Sequence, residues 1–456
     1  MIYTRVLIAR RIIHFCILFV VITGGASIAF SADQEGSGSF PIVITADIQA
    51  GIESHIKEKT IKDGGYFNLQ FKGKELKLKL VKVHTEYLAN LGPGRHFACI
   101  DLADVSGDVY DVDFYLEGNP GSMTVTETTV HKINGQPYYA WEQKEDKSWY
   151  RVPVEGASKA LLGVLLDKDE FDFSYKGVLP EIKDKAFMWL PMPLTDRFQT
   201  IENLFINIPG EHQILEEKEF GNKIIYIKLS KEDSNQKFEM SFHVKRIEKV
   251  AYAEENVDVQ KYLNPDRLVP LNENFKNIAE EAVKGMESDL ERARALYDHV
   301  IDKLSYIKNG SGWGKGDAVY ACDVKKGNCT DFHSYFIALC KSIGIPARFA
   351  IGAGIPSSRN EGGVDGYHCW AEFYAEGKWW PVDISEGDKF SNLSSYYFGH
   401  HPANRVEFTR GRDLIVDPLP ASGPINFLAY PIFEIDGKQI KVKVKFLFNR
   451  TITSHD

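Results

Sequence analysis

Positive charge is in deficit in this chain of 456 residues: 54 lysines and arginines face 63 aspartates and glutamates, a net charge of −9. A surface of that sign argues against nucleic acid and against anionic membrane as the main partner. There is no low-complexity tract, and 44% hydrophobic with 26% charged residues is the composition of a chain that can bury large cores. Its six cysteines include no Cys-x-x-Cys pair. A zinc site built from Cys322, Cys329, Cys340, His368 and Cys369 therefore has no ligand spacing behind it. The aspartates Asp101, Asp104, Asp108, Asp111 and Asp113 lack the Asp-x-Asp-x-Asp-Gly order of a calcium loop and read as a solvated strand face. The glycine-rich run 310–317 lacks Gly-Lys-Ser/Thr and follows no strand, so it is no phosphate cradle. Neither a metal nor a cofactor is called for.

The first 32 residues stand apart. Arg5, Arg10 and Arg11 precede an apolar run from Ile12 to Ile22, and small residues follow up to Ala29 and Ala32. This is the pattern of a secretory signal, and a run of about eleven apolar residues is short for the rival reading, an uncleaved anchor. Its removal takes three arginines and no acid, moving the net charge from −9 to −12. The expected product is periplasmic or extracellular, with no integral membrane span once the signal has gone. Cys16 leaves with the signal, and the five remaining cysteines enter a compartment that permits disulfides. An odd count leaves at least one thiol free. Cys329 and Cys340, about 16 Å apart along one helix, cannot bridge each other.

The chemistry concentrates between Gly327 and Asp383. Asn328 precedes an apolar periodic run (Phe332, Phe336, Leu339, Cys340, Ile343), and Gly344 and Pro346 follow it. The pattern predicts a buried helix capped by Asn328, with Cys329 at its N-terminus. Unpaired N–H groups and the positive dipole end favour thiolate there. Downstream, 366–374 and 379–384 read as strands joined by a tight turn within 375–378. A two-residue loop at Ala375-Glu376 or at Glu376-Gly377 pairs even with odd positions. Either register puts His368 and Asp383 on one face, roughly 5 to 8 Å apart at Cβ. A nucleophile, a base and an orienting carboxylate are thereby brought within reach of one another.

The run Gly327-Asn328-Cys329-Thr330-Asp331-Phe332-His333, the following 344–348 segment, the strand 367–372 and the 381–385 segment resemble the transglutaminase-like superfamily, closest to its exported bacterial members. The order of that family, Cys at a helix start, then His, then Asp on successive strands, is met at Cys329, His368 and Asp383. The resemblance implies an α+β, papain-like core in which the nucleophile helix packs on an antiparallel sheet. It also implies acyl transfer or amide hydrolysis on a peptide or protein substrate. The Cys329 N–H is the oxyanion donor to expect, with Asn328 or the glycine-rich loop contributing. Water resolving the thioester makes a protease or amidase, and an amine makes a crosslinking enzyme. The alternative is a binding or scaffold protein of the cell envelope that kept the fold without the activity.

Around that core the expected domains are a β-rich module at 33–156, a β-sandwich at 175–255, the catalytic domain at 256–420 and a strand extension at 421–456. In the first, a phase slip at Val81–Val83 predicts a bulge, and Ser106-Gly107 predicts a hairpin. Its role is unread beyond substrate docking or envelope binding. A short helical segment is expected at 158–168. Helices are expected at 274–284 and 289–304, where Leu290, Ala293, Leu296, Tyr297 and Val300 make a packing stripe. The 310–317 loop, with Trp313, reads as substrate-side. His333 lies one turn after Cys329 and competes with His368 as base, but has no evident orienter. His400 and His401 read as surface or structural residues, and Glu372 and Tyr374 as structural. Residues 439–448 alternate apolar and lysine as an edge strand does.

Overall fold

In the computed structural model, residues 43–451 are described apart from 86–87, 93, 138, 144–148, 154–165, 256, 358 and 391–392. The export segment expected at 1–32, and most of the helix expected at 158–168, lie outside the described residues. No helix among the described residues is long and apolar enough to cross a membrane.

The first module is a sheet covered by a helix that the strand-rich reading missed. Helix Thr45–Lys62 lays Ile48, Ile52 and Ile56 on the sheet, one residue per turn. The antiparallel strands run in the order Phe67–Phe71, Lys74–Val83, Arg95–Asp104, Val109–Glu117, Thr124–Ile133, Gln136–Pro137. The register jumps between Leu80 and Lys82, so Val81 is the bulge that the phase slip predicts. Ala103 pairs with Val109 across the Ser106-Gly107 turn, which makes the expected hairpin. Ile100, Leu102, Val112 and Phe114 face the helix.

The opposite face is not solvated, contrary to the sequence reading. Asp101, Asp111 and Asp113 are buried. Buried carboxylates need cations, and one of these comes from outside the module. Arg294, on a helix of the catalytic core, reaches Asp101 at 2.8 Å. His84 bonds the same carboxylate at 2.9 Å, and Lys132 approaches Asp111 at 3.3 Å. Lys82 meets Asp298 at 3.0 Å, tying the module to the same helix.

Two five-stranded sheets form the sandwich. One runs Gln199–Asn207, Lys237–Ile247, Lys168–Val178, Val444–Arg450, Glu361–Val364; the other runs Glu211–Glu216, Lys223–Ser230, Lys185–Met192, Ile432–Ile435, Lys438–Gln439. The edge-strand expectation for 439–448 holds at its start, where Lys438–Gln439 is the edge of the second sheet, and fails beyond it. Val444–Arg450 pairs on both sides, with Lys168–Val178 and with Glu361–Val364. Alternating lysines report one solvated face, which an interior strand of an open sheet has as well. Phe446 and Phe448 point inward to Phe173, Tyr175 and Phe408.

The core around Cys329 is built from helices and a four-stranded antiparallel sheet. The strands are Lys378–Val382, His368–Ala375, Ala347–Gly354 and Arg405–Arg410, in that order. Helix Cys329–Ser342 packs on this sheet, and its residues from Cys329 to Lys341 are all buried. Helix Asp289–Lys303 turns its expected stripe (Leu290, Ala293, Leu296, Tyr297, Val300) into the common core, under a Ser288–Glu291 capping box. Helix Glu273–Ala282 starts at the Asn272 cap. A further short helix, Ala318–Val324, follows the glycine-rich loop behind the Asp317 cap.

Candidate active site

Cys329 is the first residue of its helix and is buried. Asn328 caps it: Oδ1 accepts from the Thr330 N–H at 3.1 Å and from the Thr330 hydroxyl at 2.5 Å. Its Nδ2 donates to the Tyr367 hydroxyl at 3.0 Å. Asn328 is thus occupied as a cap and a clamp, and the Cys329 N–H is left as the helix-end donor without an intrahelical acceptor.

The glycine-rich loop is fastened to the same helix end by Asp331. Its carboxylate accepts the N–H of Gly314 at 2.7 Å, of Gly316 at 3.1 Å and of Asn328 at 3.0 Å. Arg412 holds the loop from the other side, donating to the Gly316 carbonyl at 2.8 Å and to Ser334 Oγ at 2.6 Å. Gly316 has a φ of +63°, and a Cβ there would meet Ser334 Oγ at 2.8 Å, so glycine is required twice over. Trp313 sits in this loop, half-buried, one residue before Gly314.

The hairpin closes at Glu376-Gly377, with φ of +53° and +76°, and Ala375 pairs with Lys378. Val382 opposes Ala371, so Asp383 falls just past the strand and diagonal to His368. His368 Nε2 bonds Asp383 Oδ2 at 2.7 Å, which turns Nδ1 toward the cysteine side. Asp383 also caps helix Ile384–Lys389, its Oδ1 accepting from the Glu386 N–H at 3.1 Å and from Ser385 Oγ at 3.0 Å. Arg405, with no local motif to announce it, donates to Asp383 Oδ2 at 2.6 Å.

These contacts set the charges. Burial pushes the Cys329 thiol up, but the Cys369 thiol and the His368 imidazole, bonded to its sulfur, hold it well below the ordinary thiol range. Burial pushes His368 down, but Asp383 and the Cys329 sulfur raise it to about 9. Asp383 is held well below the usual carboxylate range against its burial by His368 and Arg405. These directions favour a thiolate on Cys329 and a proton on His368.

His333 is placed differently. It is buried, its Nε2 accepts the Ile384 N–H at 3.1 Å, and its Nδ1 bonds the Cys329 carbonyl at 2.7 Å. The first bond requires a lone pair on Nε2, so Nδ1 carries the proton. Burial pushes its pKa down, in keeping with a neutral ring. Both nitrogens are engaged by backbone, and the ring is a strut between the cysteine helix and the Asp383 turn.

The other candidates serve the frame. Glu372 bonds Arg348 at 2.6 Å and Lys249 at 3.1 Å in a buried network. Tyr374 packs edge-on against Trp379. His400 and His401 are buried, which excludes the surface option; His400 reaches Asp108 of the first module at 3.2 Å. All five described cysteines are free and buried. Among the described residues, the donor groups close enough to share a cation are Cys99, Asp113 and His131, and His84, Asp101 and Asp111. Neither is the all-oxygen set that calcium takes, and neither uses the cysteines of the zinc set considered from sequence.

Residues 276–384 match the model of the Transglutaminase-like superfamily. The segment is a transglutaminase-like core. An uncharacterized protein of Haemophilus influenzae is 26% identical over 318 residues, 59% of this chain and 86% of that one. The mouse kyphoscoliosis peptidase is 28% identical over 153 residues, 30% of this chain and 22% of that protein. Among solved structures, a candidate cysteine protease from Cytophaga hutchinsonii aligns with a TM-score of 0.46 at 17% identity, covering 64% of this chain and 94% of its own.

Proposed function

We propose that the protein is an exported thiol enzyme that cleaves or transfers amide bonds of peptides or proteins through an acyl-thioester. The observation that carries this reading is the 2.7 Å bond from His368 to Asp383 beside a cysteine at a buried helix N-terminus. In this reading Cys329 Sγ attacks the amide carbonyl, and the carbonyl oxygen takes its negative charge against the Cys329 N–H. His368 gives the proton to the leaving amine as the C–N bond breaks. It then takes a proton from the water or amine that resolves the thioester. Asp383, pinned by Arg405 and by the turn after it, fixes the ring and balances its charge. His333 and Asp331 hold this geometry without touching the reacting atoms. The peptidase name of the mouse relative supports peptides as the substrate class. The export part of the proposal rests on the charged and apolar pattern of residues 1–32.

The test is to incubate the protein with a peptide library and a tagged primary amine and to follow new termini and tag incorporation. New termini predominating make it a peptidase or amidase, and tag predominating makes it a transglutaminase. Neither product, with folded protein, would support the scaffold alternative.

A further inference from the structure

We propose that a lysine-lined cleft at the end of the sandwich docks acidic stretches of the polypeptide substrate. The cleft has a volume of about 1340 Å³, and Lys176, Lys237, Lys441, Lys443 and Lys445 line it. Its single acid is Glu239, bonded to Lys176 at 3.0 Å. Among the described residues, Lys237, Lys441, Lys443 and Lys445 make no ion pair. Lys445 stands directly opposite Lys176 in the strand ladder. Like charges so placed repel, a cost that an anion lying between them would relieve. An ordinary solvated face mixes both signs, whereas here five cations meet one acid on a chain whose net charge is −9.

A pair of tyrosines links the wall of the cleft to the helix end that carries Cys329. Tyr430 forms part of that wall, and the Tyr430 ring lies 5.4 Å from that of Tyr367. Tyr367 in turn takes the Asn328 amide at 3.0 Å, one residue from Cys329. A chain with acidic residues in the cleft would run along this tyrosine pair to the thiol. The substrate part of the proposal rests on the amide-bond reading above, whereas its binding test is independent of turnover.

That test is fluorescence anisotropy of a labelled octaglutamate peptide with the Cys329→Ser protein at low salt. Saturable binding is expected, falling as salt rises. The triple variant Lys441→Glu, Lys443→Glu, Lys445→Glu should weaken it about tenfold or more. The control triple Lys62→Glu, Lys74→Glu, Lys77→Glu changes net charge equally and should leave it within about twofold. No saturable binding, or equal loss in both triples, would overturn the proposal. In the active protein, an acidic-tailed peptide should show a raised KM and an unchanged kcat in the cleft triple alone. Octaglutamate binding without amide turnover of any peptide would sink the enzyme reading and leave the cleft an acidic-peptide site.

Discussion

Two places among the described residues bring a cysteine, a histidine and an aspartate together, and they differ in almost every physical respect. At the first, Cys99, Asp113 and His131 meet on the face of a sheet. At the second, Cys329 opens a helix beside His368, which bonds Asp383. Burial and the surrounding carboxylates of Asp113, Asp111 and Asp101 drive the Cys99 thiol far up. Burial acts on Cys329 in the same direction and loses to the imidazole and to the neighbouring thiol. The three residue types alone do not make a nucleophile. What separates the sites is the helix end and the sign of the nearest charge.

Breaking the sulfur itself should separate the sites most widely. Cys329→Ser should lower amide turnover by about four orders of magnitude, while Cys99→Ser leaves the rate within about twofold and costs on the order of 1 kcal/mol of stability. Initial rates on a responsive peptide and urea denaturation of both variants check this.

Next in size are the partners. His368→Ala and Asp383→Asn should each cost about three orders of magnitude in kcat. They should differ at the thiol: His368→Ala raises the alkylation inflection of Cys329, whereas Asp383→Asn leaves the thiol reactive. The pH profile follows from the same pair. His368 keeps its proton up to about 9, so kcat/KM should fall on the alkaline side near that value as the general acid is lost. On the acid side it should fall where the thiolate is protonated, below the ordinary thiol range. An alkaline limb near 6.5 would show that Asp383 does not hold the ring charged.

Arg405 comes third. Arg405→Leu strips the buried Asp383 of its cation, which should destabilise the protein by about 3 kcal/mol and lower activity most at acid pH, because the Asp383 carboxyl then titrates upward. Denaturant midpoints and a pH–rate comparison measure both. His333→Ala should have the smallest effect on chemistry. It leaves the Ile384 N–H unpaired and takes from the Cys329 carbonyl the second of its two bonds, a cost of about 1 to 3 kcal/mol in stability. The inflection of Cys329 should stay in place. A large shift there instead would make the helix histidine the base.

How much of this was readable in the sequence follows the range of each interaction. Asn328, Cys329 and Asp331 lie within one helical turn, and the Glu376-Gly377 turn fixes the register of a local hairpin, so both pieces of the candidate site and the α+β core were legible. Arg405 was not, because nothing near it in the chain marks a contact with Asp383. Asp101 looked solvated because one of its partners, Arg294, is nearly two hundred residues away. The lysines of 439–448 gave one exposed face correctly. They said nothing of the two strands that flank Val444–Arg450. Helix Thr45–Lys62 was lost because its buried stripe is a single line of isoleucines.

The central claim is that Cys329 is held as a thiolate by its imidazolium and helix end, and site-resolved alkylation tests it most directly. Protein treated with iodoacetamide across a pH series would be digested and each cysteine read by mass spectrometry. The predicted result is labelling of Cys329 with an inflection on the acid side of neutrality, moved upward in His368→Ala, while Cys99 stays unlabelled throughout. A Cys329 inflection near the roughly 8.5 of a free thiol, unmoved by His368→Ala, would contradict the account.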